Sequence, residues 1–338
     1  FLDKKTTHII MPVGIPNFGN TCFLSVIIQA MMFIPELREA VLKMGEFKPI
    51  YKDIYTAYTE KQKNNSRSQD KKCINIYREF KENYLSELED HVFLKELKTS
   101  KQNDAYGIFQ MIINDLSKHG LKPFVIEFEL TEKALKALET VKKDTNDFQI
   151  CPQYNKMEQY QPKHTFLYQL LISKYNTDEN KPEILTELLK NRIQMSRLTN
   201  LDLEKESKYW NDNLKYYNPW YSLEHGTIVR QFAKLPEHFI ISFDNLFNIN
   251  RPSNNLEIYL SPEQVKNGQS AKYACDFYIV YEKYSMKVAH FFCRMKINNN
   301  WFEANDNRIK KISLATAKKG AASSRFLHFR KINNNPEN

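Results

Sequence analysis

Cys22 opens a run of residues spaced for chemistry. Phe23, Val26, Ile27, Ala30 and Met31 follow it at i, i+3, i+4, i+7 and i+8, the repeat of one buried helical face. Asn20 or Thr21 is the candidate N-cap. That places Cys22 in the first turn, where unpaired amides and the positive end of the helix dipole favour a thiolate. A thiolate is the nucleophile of acyl transfer. An ordinary buried cysteine at the start of a core helix fits the same position. The Gly14, Asn17 and Gly19 around it favour the chemical role.

Acyl transfer by a thiol also needs a base. His290 begins a run in which Phe291, Cys293, Met295 and Ile297 alternate with His290, Phe292, Arg294 and Lys296. The first set is the apolar face of a strand, so His290 points away from it, toward a cleft or solvent. Asn298-Asn299-Asn300 signals a turn, and a second strand starts at Trp301. The hairpin returns Asn305 or Asp306 to the start of the first strand, beside the imidazole. A base oriented by a third polar group is the requirement of Cys–His catalysis. His8, His119, His225, His238 and His328 have no comparable surroundings in the sequence.

The elements that must carry these residues read in order. Residues 1–11 are an extension. Residues 14–44 form the turn and the Cys22 helix, with Pro35 starting a second helix. Residues 60–72 lack apolar periodicity and read as an exposed loop. A mixed helical pattern covers Ile74–Leu97. Asp104 caps a helix whose buried face is Ala105, Ile108, Phe109, Ile112, Ile113 and Leu116. Residues 125–175 mix short strands with turns, with Thr165–Tyr168 one candidate, and residues 176–183 are a turn. Residues 184–235 read as helical, then irregular. Phe239–Phe243, Leu256–Leu260, Phe277–Tyr281, Phe291–Ile297 and Phe326–Phe329 are strands. Helices come first and an antiparallel sheet last, an α+β arrangement.

The 338 residues suffice for one large domain or two smaller ones. No uninterrupted apolar run is long enough to cross a membrane. Cysteines 22, 73, 151, 275 and 293 are scattered, which argues for a reducing compartment, the cytoplasm or nucleus. They form no CxxC pair, which excludes a cysteine zinc ribbon, and acyl transfer by a thiol implies no metal or organic cofactor. Of 49 basic residues only 11 are arginine, and the net charge is +9. A lysine-dominated charge reads as a solvated surface rather than a phosphate-reading one, so nucleic acid is not the expected ligand.

The stretch Gly14-Ile15-Pro16-Asn17-Phe18-Gly19-Asn20-Thr21-Cys22, with Gln29, resembles the cysteine box of the ubiquitin-specific proteases, which are papain-like deubiquitinating enzymes. Ala289-His290-Phe291 with Trp301-Phe302-Glu303-Ala304-Asn305-Asp306 resembles their histidine box, and Gln102-Asn103-Asp104-Ala105-Tyr106 a third. Arg325–Phe329 resembles the family's terminal core strand. The resemblance covers residues 12–331. It implies a thumb–palm–fingers fold, with a thumb over about 12–125, fingers and palm over about 126–331, and a disordered tail at 332–338. It implies Cys22 as nucleophile, His290 as base, and Asn305 as the orienting residue with Asp306 sharing that role. It also implies Asn17 as oxyanion donor, Asp104 as contact for an arginine of the ubiquitin tail, and ubiquitin or ubiquitinated proteins as partners. Departures occur at Gly107, Ala289, Tyr281–Lys283 and Asp244–Leu246. The chain also resembles an inactive, splicing-associated branch of the family at Val13-Gly14, Gln29-Ala30, Pro35 and Trp301–Glu303. The alternative function is therefore a scaffold for protein or ribonucleoprotein partners. Cys22, His290 and Asn305 argue for the enzyme.

Overall fold

A computed structural model describes residues 10–88, 105–124, 128–130, 149–150, 169–172, 196–197, 216–217, 227–228, 230–232, 234–243, 256–260, 262, 265, 267–283, 289–322 and 324–332. The capping Asp104, the strand expected at Thr165–Tyr168, the turn at 176–183, the departure at Asp244–Leu246 and most of both termini lie outside these residues.

Helix α1 (Cys22–Phe33) is followed by α2 (Pro35–Phe47) and α3 (Pro49–Lys63). Pro35 and Pro49 occupy the first helical positions of α2 and α3, where a missing N–H costs nothing. The sequence reads α1 as one-faced. In the structure every residue from Cys22 to Met32 is buried, because α1 lies across the sheet with α2 and α3 packed around it. Its helical partners cover the side that local periodicity assigns to solvent.

The expected loop over 60–72 is a helical hairpin. Only residues 64–66 separate α3 from α4 (Arg67–Glu79). Ser66 caps α4 by accepting from the Gln69 backbone N–H at 3.3 Å. Glu60 takes Gln69 and Lys72, at 3.1 and 2.6 Å, and buried Lys61 pairs with Asp70. The only side chains of α4 that are buried are Cys73 and Tyr77, too few to register as a periodic stripe. A π-helical turn follows at Phe80–Leu85. Helix α5 (Ala105–Lys118) buries the face read from the sequence.

The second half is a sheet. Its strands are β1 (Gln169–Ile172), β2 (His238–Phe243), β3 (Glu257–Leu260), β4 (Ala271–Lys283), β5 (Ala289–Ile297), β6 (Asn300–Asn305), β7 (Arg308–Ile312) and β8 (Ser324–Lys331). The order is β7-β6-β5-β4-β8-β2-β1, with β3 paired to the start of β4. All pairs are antiparallel except β1 with β2, which is parallel. The described part of 184–235 contains short strands and no helix. Asn298 and Asn299 hold φ of 47° and 63° in the β5–β6 turn, the left-handed pair a two-residue hairpin needs. The outer strand β7 exposes Arg308, Lys310 and Lys311, charges that discourage edge pairing.

Both sheet faces are buried. Phe291, Cys293, Met295 and Ile297 join α1, α2, α3 and α5 in one core. Phe292 joins Tyr278, Trp301, Leu327 and Phe329 in a second core, closed by α6 (Leu314–Ala322). The face carrying His290 is therefore open only near its end, not along its length. Arg294 is buried there beside Glu303 at 2.7 Å and the Thr316 carbonyl at 2.8 Å. Gly320 leaves room for that guanidinium.

A polar network joins α2 to the sheet. His238 Nδ1 lies 3.0 Å from His328 Nε2, and His328 Nδ1 meets Asp276, which a β-bulge in β4 turns toward it. Arg330 bridges Asp276 and Glu36, with two bonds of 2.7 and 2.9 Å to the latter. Burial, with His328 and Arg330 nearby, pushes His238 down to about 4. Burial works to raise Glu36, but its bonds to Arg330 and the charge of His238 outweigh that and hold it at about 2. Both groups lose stability in acid. The unfolded chain protonates such a histidine near 6.5 and such a carboxylate near 4.5, whereas the folded chain resists until about 4 and about 2. Stability is expected to fall steadily as pH drops from 6.5 toward 2, with a His238 share on the order of 3 kcal/mol. Urea midpoints measured against pH check this, and His238→Gln should flatten the upper part of the decline.

Candidate active site

The loop before α1 is built on Asn17. Its side-chain oxygen accepts from the Gly19 N–H at 3.2 Å, the Thr21 N–H at 3.1 Å and the Thr21 hydroxyl at 3.2 Å. Thr21 is the N-cap residue, but its hydroxyl makes no capping bond to the helix; it accepts from the Phe18 N–H at 3.1 Å instead. Gly19 and Asn20 take positive φ, 108° and 52°, to close this turn. Three acceptor bonds fix the amide plane and leave the Nδ2 group facing outward. It donates to Asp306 Oδ2 at 3.2 Å.

The β6–β7 turn supplies the other wall. Asp306 has φ of 48°, and its carbonyl accepts from the Ile15 N–H at 2.9 Å. A side chain at Gly14 would put Cβ 2.2 Å from the Asn307 carbonyl oxygen, so only glycine lets the two loops touch. Arg78 of α4 lies over the Phe18 ring at 5.6 Å and braces the outer side of the loop.

Cys22 and His290 meet between these walls. The imidazole is hydrogen-bonded to the Cys22 side chain, and its Nε2 lies 2.8 Å from Asn305 Oδ1. An amide oxygen only accepts, so Nε2 carries a proton and Nδ1 is left for the sulfur. Asp306 Oδ2 is 4.0 Å from Nε2, and Asp306 Oδ1 is enclosed without a hydrogen-bond donor among the described residues. The bond to Cys22 is the main cause that raises His290 to about 9; Asn305 and the charges of Cys22 and Asp306 add to it, against the cost of burial. Cys22 itself is only 2% exposed. The geometry can hold a thiolate against an imidazolium, with an amide donor, Asn17, at the neighbouring turn.

The structure thus brings Cys22, His290, Asn305, Asp306 and Asn17 together, and Asp104 lies outside the described residues. Among the described residues no cluster of His, Cys, Asp and Glu is arranged to hold a metal ion, and no helix is long and apolar enough to cross a membrane. Two features of the site are not visible in the sequence reading: the burial of the His290 face beyond its first residue, and the role of Gln29 and Tyr58 beneath the Asn17 loop. Gln29, a polar residue on a wholly buried helix, was the available signal.

The family model for ubiquitin carboxyl-terminal hydrolase matches residues 13–329. The chain belongs to the ubiquitin carboxyl-terminal hydrolase family. As a ubiquitin carboxyl-terminal hydrolase it is a cysteine-type enzyme. No curated protein sequence matches it. Solved structures are similar. The SAGA DUB module of Ubp8, Sgf11, Sus1 and Sgf73, with an alanine variant of Ubp8 and monoubiquitin bound, matches at 15% identity over 97% of this chain and 70% of that chain, with a TM-score of 0.58. The same module bound to ubiquitin aldehyde matches at 16% identity over 97% and 71%, with a TM-score of 0.57. The yeast SAGA DUB module with a tyrosine-to-alanine Sgf73 mutant matches at 13% identity over 97% and 70%, with a TM-score of 0.52. These likenesses show the fold, with helices leading and the sheet following.

Proposed function

We propose that this hydrolase cleaves the peptide or isopeptide bond after the C-terminal glycine of ubiquitin, with Cys22, His290 and Asn305 as its catalytic set within one catalytic domain over residues 12–331. The observation that supports it most is the continuous chain of side-chain bonds from Cys22 through His290 to Asn305. Two of the similar structures contain ubiquitin, which supports ubiquitin as the partner here.

In this reading the Cys22 sulfur attacks the glycine carbonyl carbon, and the carbonyl oxygen becomes an oxyanion. The second N–H of Asn17 Nδ2, joined by the Cys22 backbone N–H, donates to that oxygen while the first stays on Asp306. The carbon–nitrogen bond breaks as His290 gives its Nδ1 proton to the leaving lysine amine. Water then attacks the thioester, giving one proton to His290; the sulfur leaves as thiolate, restoring the ion pair, and the ubiquitin carboxylic acid ionises to solvent. Asn305 holds the ring, and Asp306 favours its charged form. Asp104 faces an arginine of the ubiquitin tail, a charge-assisted contact.

The deciding experiment is labelling with ubiquitin that carries a C-terminal electrophile. Wild-type protein forms the covalent adduct and Cys22→Ala does not. No adduct at saturating probe sinks the hydrolase reading and leaves the scaffold.

The His290 value also predicts a pH profile. The working form carries the imidazolium, so kcat/KM is expected to fall above about pH 9 with the loss of one proton. Asn305→Ala removes one of the contacts that raise His290 and should move that limb to lower pH. The same proton stabilises the fold fully below 6.5, and that contribution is lost as pH rises through about 9. A limb that does not move in Asn305→Ala would mean another group sets it.

A further inference from the structure

Two buried polar side chains close around one residue of the loop that carries Asn17. Gln29 Nε2 donates to the Val13 carbonyl at 2.5 Å. Tyr58 of α3 donates its hydroxyl proton to Gln29 Oε1 at 2.6 Å. The same hydroxyl lies 3.5 Å from the Met11 carbonyl. The Val13 carbonyl is therefore held by a Tyr–Gln pair. Gln29 is 2% exposed and Tyr58 1% exposed. Enclosing an amide and a phenol costs free energy unless their polar atoms are used, and here they are spent on the backbone that leads into the Asn17 loop. The next residues along the chain are Gly14, pressed on Asn307, Ile15, bonded to the Asp306 carbonyl, and Asn17.

We infer that Tyr58, acting through Gln29, is a positioning residue that sets the height of the Val13–Asn17 loop over the catalytic cysteine and thereby aims the Asn17 amide at the oxyanion. This rests on the proposed thiol mechanism. Neither side chain touches substrate. The clamp has a direction built in. The Val13 carbonyl only accepts, so it fixes Nε2 on its side and leaves Gln29 Oε1 to take the Tyr58 proton. Removing the hydroxyl frees the carboxamide to rotate and so loosens its hold on the Val13 carbonyl. The Cys22–His290 pair is anchored separately, by α1 and by the β5–β6 hairpin.

Two reactions of Cys22 separate the loop from the rest of the site. Hydrolysis of a ubiquitin C-terminal fluorogenic amide develops an oxyanion. Alkylation by iodoacetamide displaces iodide and develops none, so it reads the thiol and imidazole alone. Tyr58→Phe is expected to lower kcat about tenfold with KM within about twofold, the scale of one or two lost buried hydrogen bonds magnified by misalignment. Its alkylation rate and the pH dependence of that rate stay at the wild-type level. Gln29→Met should reproduce the pattern, and it carries the comparison if Tyr58→Phe fails to fold. Wild-type turnover in Tyr58→Phe overturns the clamp and leaves the catalytic reading standing. A parallel fall in turnover and alkylation also overturns it, because the pair then supports the whole site. A wild-type protein with no turnover overturns both readings.

Discussion

Cys22→Ala is expected to remove ubiquitin hydrolysis altogether, by at least about four orders of magnitude in kcat, while the protein stays folded and still binds ubiquitin. The sulfur is the atom that forms the bond to the glycine carbonyl, and no other group in the site replaces it. Four cysteines lie among the described residues, and Cys73, Cys275 and Cys293 are buried in core clusters. Burial pushes the thiols of Cys275 and Cys293 up, and that of Cys73 is raised for the same reason, so each is held as a poor nucleophile. The substitution removes one small buried side chain at the first turn of α1, so the cavity is small and the melting temperature should shift by only a few degrees. Turnover, ubiquitin affinity by calorimetry and thermal melting, measured on the same preparation, check the three parts. Residual hydrolysis above that level would assign the nucleophile elsewhere.

Asn17→Ala is the second large effect. Removing one oxyanion donor typically costs a factor of about 10² to 10³ in kcat, with little change in KM, because the charge exists only in the transition state. Asn17 has a second task, since its oxygen gathers the Gly19 and Thr21 amides and the Thr21 hydroxyl. Asn17→Asp separates the two. The carboxylate keeps the acceptor for the Gly19 and Thr21 groups, but it offers no donor, meets the Asp306 carboxylate in place of the present hydrogen bond, and puts a negative charge where one must develop. Both variants should be slow, and iodoacetamide alkylation of Cys22 should remain near wild type in Asn17→Ala. Recovery of turnover in Asn17→Asp would mean that Asn17 acts only by shaping the loop. Asn17→Ala also sets the scale for Tyr58→Phe: the indirect effect of the clamp has to be smaller than loss of the donor itself.

The acid-side loss of stability and the alkaline limb of activity belong to different parts of the molecule. The His238–Glu36 network titrates below 6.5, and His290 titrates near 9. The enzyme is expected to combine its full fold stability and its charged His290 in the interval between them.

Much of the site was legible because its parts are local. Cys22 at the head of α1 follows from the 3.6-residue spacing that starts at Phe23. The return of Asn305 or Asp306 to His290 follows from a strand of alternating residues and three asparagines at the turn, since a hairpin of fixed register brings that end back whatever surrounds it, and the structure gives the bond to Asn305. Other features were misread for a common reason. Residues 60–72 pair through Glu60, Lys61, Gln69, Asp70 and Lys72, and polar residues that cross-link two helices are the same types that line a loop. His238 and His328 gave no signal because a histidine's partners, Asp276 and Glu36 here, come from distant strands and helices.

The amino-acid order alone determined that a thiol would sit at a helix start and an imidazole at a hairpin edge. Only the packing of α1 across β5 decided that these two ends meet, that the sheet is covered on both faces, and that Tyr58 and Gln29 close on Val13. Periodicity records that a face is buried. It carries no record of what buries it, because every apolar surface is an acceptable partner to another, and the choice among them is made by the shape of the whole chain.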